Sequence, residues 1–204
     1  SDPTYTRRGH ARRGTMRKLL LIFTIVALQG CATTPGKDNL ASLQLFGADH
    51  TPNFTLYFAC AGNSGDSTFQ CETVRRAFDA WSEDRHLAAH RVGMDDPVFR
   101  TGRSAPAGQV AGKPYVLAIR FEPIVTPGYH TWSGTAGTMN SGFIPGRVGY
   151  EAKLVVFSTD TGAVVKSLSP HHQQAMPQHT DVTPTMKDDV YGLIALVDPA
   201  YPRR

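Results

Sequence analysis

Val148-Gly149-Tyr150-Glu151-Ala152-Lys153-Leu154-Val155-Val156-Phe157, running on into Ser158-Thr159-Asp160-Thr161-Gly162, is the stretch from which the fold is read. Val148, Tyr150, Ala152, Leu154 and Val156 recur at every second position, the period of a strand with one buried side. Asp160-Thr161-Gly162 then supplies a turn, because Asp hydrogen-bonds its own backbone and Gly accepts a positive φ. Residues 163–168 return as the second strand of a hairpin. Asp160-Thr161-Gly162-Ala163 also spells the aspartic-protease string. That chemistry needs a second carboxylate, from the same chain or a dimer mate, to share a proton. Ser158 and Thr159 stand where apolar residues are wanted, and no convincing downstream apolar support is found.

Upstream of the hairpin, Tyr115, Leu117, Ile119 and Phe121 share one face of a strand over 114–121. Downstream, Met186, Val190, Leu193, Ile194 and Val197 form the apolar stripe of a final helix, with Thr183 as N-cap, Pro184 at the first helical position and Asp198-Pro199 as the stop. Earlier in the chain, 40–46 and 54–60 read as strands separated by Thr51-Pro52-Asn53. A helix over 67–89 follows, opened by a Ser67/Gln70 capping box and carrying Cys71, Val74, Phe78, Trp81 and Ala88 on one face. The order is β-β-α-β-β-β-α. It predicts an α+β domain over 40–204, an antiparallel or mixed sheet with helices packed on one face.

The first part of the chain is of another kind. Met16-Arg17-Lys18 is followed by an apolar run over 19–28, interrupted only by Thr24, and then by Gln29-Gly30-Cys31. A basic start, a short apolar run and a small residue before a cut describe a secretory signal peptide over 16–30. The run is too short to span a bilayer, which takes roughly 20 residues. Residues 1–15 are polar and Arg-rich, and read as an upstream or non-native extension. Residues 32–39, Ala-Thr-Thr-Pro-Gly-Lys-Asp-Asn, are small and polar and make 31–39 a tether. Residues 1–30 hold six of the 21 Lys and Arg and one of the 17 acids, leaving 15 basic against 16 acidic residues. The basic balance therefore belongs to the leader and gives no reason to expect nucleic-acid binding.

Leu28-Gln29-Gly30-Cys31 resembles the lipobox of bacterial lipoproteins, with Gln29 a departure from the usual small residue. That resemblance implies lipidation of Cys31, palmitate included, and removal of the leader. With Ala32 rather than Asp next in line, it implies the outer membrane and a domain facing the periplasm. From strand 115–119 through Gly149-Tyr150-Glu151-Ala152 and the Thr159-Asp160-Thr161-Gly162 turn to Tyr201-Pro202, the layout also resembles uncharacterised envelope lipoproteins. More remotely, it is similar to the periplasmic domain of the curli-secretion lipoprotein. These families imply envelope binding or assembly without catalysis.

The remaining motifs are weighed by chemistry. Cys60 and Cys71 flank the loop Ala61-Gly62-Asn63-Ser64-Gly65-Asp66. In an oxidising compartment they read as a disulfide worth about 2–3 kcal/mol, with free thiols or a metal pair as alternatives. His86 and His90 stand four apart near Glu83, but Leu87 replaces the Glu of a metalloprotease helix, so they read as a solvated helix face. His171, His172, Met176 and His179, bracketed by Pro170 and Pro177, read as an exposed loop, and are the ligand set of the alternative function, a copper- or zinc-handling lipoprotein. Ser133 near His130, and Ser64 between Gly62 and Gly65, lack a nucleophile elbow. The stretch 126–147 is far longer than a hairpin loop needs. Its Tyr129, Trp132, Met139, Phe143 and Ile144 suit a contact surface for an envelope protein, or a cover for the sheet edge. No cofactor site is read, and the expectation is a membrane-anchored binding or assembly module, not an enzyme.

Overall fold

The computed structural model describes residues 40–62, 65–104, 112–135, 140–176 and 180–202. They fall within one compact unit, Asn39–Arg204. Cys31, the leader and the tether, together with Ser64, Met139 and His179, lie outside the described residues.

The α+β class and the mixed sheet are as the sequence predicts. Strands β1 (Phe54–Cys60), β2 (Ala89–Arg91), β3 (Tyr115–Thr126), β6 (Gly146–Ser158) and β7 (Val164–Leu168) form the order β2-β1-β3-β6-β7, and β8 (His171–Met176) also pairs with β6. β1 lies parallel to both β2 and β3, whereas β3, β7 and β8 are antiparallel to β6. β4 (Tyr129–Ser133) and β5 (Asn140–Ile144) form a separate two-stranded sheet. β1, flanked on both sides and buried on both faces, reads Phe-Thr-Leu-Tyr-Phe-Ala-Cys, the near-continuous apolar run such a strand needs.

Helix α1 (Gly65–Arg85) and helix α3 (Thr183–Val197) cover one face. Their Val74, Phe78, Trp81, Met186, Val190, Leu193 and Ile194 meet Leu56, Phe58, Leu117, Ile119, Leu154 and Val156 in the main core. On the opposite face a single turn, α2 (Val98–Thr101), packs Val98 over Tyr57, Val116, Ala118, Val155 and Phe157. The periodicities of β6 and α3 place their residues as predicted: all five alternating positions of β6 and all five stripe positions of α3 are buried in the main core. Asp160 and Gly162 make the predicted turn, with Gly162 at φ 69 and its N–H donating to the Ser158 carbonyl at 2.8 Å.

Five expectations are corrected. Residues 40–46 do not form a strand. Ala41–Leu43 is a 3₁₀ turn closed by Gln44 at φ 45, which lets Leu40 and Leu45 enter the core on either side. Helix α1 begins at Gly65, so Ser67 and Gln70 lie inside its first turns rather than forming a capping box. The same helix ends at Arg85 because His86 takes a left-handed φ of 52. The Leu87 N–H then donates to the Ser82 carbonyl at 2.8 Å, the closure of a Schellman cap with His86 in the usual glycine position. The strand expected over 114–121 runs on to Thr126, because β3 outruns β1 after Phe121 and is an edge there, where Pro123 is tolerated. In α3 the N-cap position is Val182, and Asp181 accepts the Thr183 N–H at 2.9 Å.

Cys60, at the end of β1, is bonded to Cys71 in α1 across a separation of 11 residues. This ties the first strand to the helix that covers it. Closing a loop of that size contributes about 2–3 kcal/mol. Thiol counting on denatured, unreduced protein is therefore expected to find Cys60 and Cys71 blocked, and reduction should lower the unfolding free energy by that amount. Two titratable thiols at these positions in freshly isolated protein would contradict the pairing.

Candidate functional site

The stretch 126–147 is not an irregular loop but an arm. β4 and β5 pair antiparallel, Tyr129 opposite Ile144, His130 opposite Phe143 and Trp132 opposite Ser141. Because opposite residues share a face, Tyr129 and Ile144 stand on one side of the ribbon, and His130, Trp132 and Phe143 on the other. The His130 and Phe143 rings lie 5.1 Å apart. The neck is held by close backbone approach. A Cβ at Gly146 would come within 2.5 Å of the Thr126 carbonyl, and one at Gly128 within 2.7 Å of the Phe143 ring. Only glycine lets the strands pinch together there.

Neither side of the arm is covered. Trp132 is 68% exposed, Tyr129 57%, Ile144 43% and Phe143 37%. The sequence reading left open that these residues fold over the sheet edge, and they do not. An isolated two-stranded ribbon is only marginally stable in water, so uncovered aromatic groups on both its faces stand out where, among the described residues, the other large apolar side chains most exposed are Phe69, Val164 and Val165.

The histidine-rich segment is reorganised as well. It forms β8, since β7 pairs only with the far half of β6 and leaves Gly146–Glu151 open to a strand. His172 lies opposite Tyr150 and faces α3, while His171 lies opposite Glu151 and faces the other way. His172 Nδ1 stands 2.7 Å from Asp189 Oδ1. Burial pushes the Asp189 carboxyl above the ordinary carboxylate value, and the His172 contact opposes that rise. Burial, with the Asp189 charge second, pushes the Tyr150 hydroxyl up. Met176 packs against the main core. The strand thus places His171 on one face and His172 and Met176 on the other. His86 and His90 are separated too, one at the helix cap and the other stacked on Tyr57 at 4.9 Å. Among the described residues no group of three His, Cys, Asp or Glu could hold a metal, and no helix is long and apolar enough to cross a membrane.

No protein-family model and no curated relative matches the chain. Among solved structures, a neuraminyllactose-binding hemagglutinin homolog from Helicobacter pylori is 11% identical with a TM-score of 0.41, covering 69% of this chain and 79% of that one. The PelC dodecamer from Paraburkholderia phytofirmans is 13% identical with a TM-score of 0.34, covering 70% and 85%. A lipoprotein from Neisseria meningitidis is 13% identical with a TM-score of 0.31, covering 69% and 98%. None of these likenesses supplies a residue or an activity for this chain.

Proposed function

We propose that the chain is a lipid-anchored envelope protein, held in the outer membrane through Cys31, whose periplasmic domain is a non-catalytic binding or assembly module. Its contact surface is the β4–β5 arm. The observation that carries the reading is the exposure of Trp132 and Tyr129 on opposite faces of the ribbon. Aromatic groups of this kind anchor protein interfaces, where truncating one that becomes buried costs about 2 kcal/mol or more. Met139, which the sequence groups with these residues, belongs to the same proposed surface.

The test is recovery of partners from detergent-solubilised envelopes by the intact chain, with Trp132→Ala/Phe143→Ala beside it and an arm-deleted chain as control. The double variant should lose association by about 30-fold or more per anchor, the equivalent of that energy. Its melting temperature should stay within a degree or so of the parent, because exposed positions contribute little to stability. A large fall in melting temperature with association intact would assign the arm to the domain's own packing instead.

A further inference from the structure

The face of the sheet away from α1 and α3 carries four charges in an arrangement that does not pair them with each other. Arg120 on β3 stands directly opposite Lys153 on β6, and Glu122 directly opposite Glu151. Like charges at opposite positions are unfavourable. Transposing the two residues of either strand would have put each cation opposite a carboxylate. As built, a cationic row and an anionic row lie side by side, about 7 Å apart along the strands. No ion pair joins Lys153, Glu122 or Glu151 to any partner among the described residues.

The rows form the floor of a groove with one wall beyond the cationic row and another along the β6 side. Beyond the cationic row, Asp95, Phe99, Arg100 and Val155 close a cavity of about 230 Å³ with Arg120 and Lys153. Along the outer side of β6, level with both rows, Ser169, Pro170 and His171 bound a cavity of about 490 Å³ that includes Glu122 and Glu151 and shares Arg120 and Lys153 with the first. Arg120 is fixed in place. Its Nε donates to the Met94 carbonyl at 3.0 Å, and its guanidinium lies 4.9 Å from the Phe99 ring centre. Asp95 offsets part of the positive charge at that end, leaving Arg100, Arg120 and Lys153 in excess.

We propose that this groove binds a small zwitterion, its carboxylate or phosphate held by Arg100, Arg120 and Lys153 and its primary ammonium by Glu122 and Glu151. Such a ligand satisfies both rows at once, which neither a simple anion nor a simple cation can do. The site is on the sheet face, does not use the arm, and stands or fails separately from the reading above.

The probe is 6-aminohexanoate, an extended ω-amino acid long enough to span the rows, with hexanoate and hexylamine as single-charge controls. Titrated against the isotopically labelled full chain, it should shift the amides of residues 120–122 and 151–153. It should bind about fivefold or more tighter than either control, as one added exposed ion pair allows. Lys153→Ala should bring its affinity down toward that of hexylamine, and Glu151→Ala toward that of hexanoate. Both side chains are exposed, so neither change threatens the fold. No shift at these residues, equal binding of either control, or indifference to both substitutions would each overturn the proposal.

Discussion

Asp198→Ala should destabilise the domain by about 3–5 kcal/mol, the cost of stranding one partner of a buried ion pair. Asp198 closes α3 and is almost fully buried. Its Oδ2 accepts from Arg85 Nε at 2.7 Å and from Trp81 Nε1 at 3.1 Å, and its Oδ1 accepts from Arg85 Nη2 at 3.3 Å. Both donors lie in the last turns of α1, so one carboxylate joins the ends of the two long helices. Arg85 also lies over the Tyr201 ring at 5.5 Å, and the Tyr201 hydroxyl donates to Asp84 at 2.7 Å. Alanine would leave a part-buried guanidinium and a buried indole N–H without their acceptor. For a domain of this size the loss corresponds to a fall of about 6–20 °C in melting temperature. Asp198→Asn, which keeps a carbonyl acceptor but no charge, should lie between alanine and the parent. Thermal unfolding followed by circular dichroism decides it, and a fall of only a degree or two for alanine would mean that water reaches the pair and screens it.

That junction marks the boundary of what the sequence made legible. Elements announced by their own periodicity were readable: the alternation of Val148 to Val156, the stripe of Met186 to Val197, and the continuous apolar run of β1. Trp81 and Asp198 are 117 positions apart, and nothing in either neighbourhood points to the other. β8 was unreadable for a related reason. His171-His172-Gln173-Gln174-Ala175-Met176 has no apolar alternation, and it is a strand because the open half of β6 offers it a ladder of backbone bonds. The arm was not legible as secondary structure, and its Tyr129, Trp132, Phe143 and Ile144 are exposed. Its glycines and threonines hide the strand period, whereas the presence of Tyr129, Trp132, Phe143 and Ile144 in so long a connection already required that something cover them or that they remain exposed. His86 was missed because the left-handed cap that ends α1 is usually marked by glycine.

The two surfaces proposed for binding have one structural origin. β3 and β6 pair over their whole length, from Tyr115 opposite Ser158 to Thr126 opposite Arg147. One face of that ladder is spent on the helices. The other is covered by α2 only near Val116, Ala118, Val155 and Phe157, and beyond these the charged rows begin. Past Thr126 and Arg147 the ladder is pinched at Gly128 and Gly146, and the chain continues outward as the arm. The core and the groove are thus the two faces of one long ladder and the arm is its continuation, which is why the register of β3 on β6 decides which face each of their residues takes.

Cys31→Ser is expected to abolish acylation altogether, the largest effect on the protein's location that any single substitution should have. The expectation rests on Leu28-Gln29-Gly30-Cys31 and the basic, apolar leader before it. The acyl acceptor in such anchors is the cysteine sulfur, and a serine hydroxyl is a far weaker nucleophile at neutral pH. Each buried methylene contributes about 0.8 kcal/mol, and stable anchoring takes more than one chain or a second membrane signal. The variant should therefore either stall as precursor or leave the membrane. Incorporation of radiolabelled palmitate should fall to background, and fractionation should follow the loss. Unchanged labelling would refute the anchor outright. Combining the substitution with Trp132→Ala separates the anchor from the arm: if the unacylated chain still sediments with envelopes, and Trp132→Ala releases it, the arm holds a membrane-bound partner without help from lipid. If Trp132→Ala makes no difference to an unacylated chain that remains bound, the arm is not the contact surface.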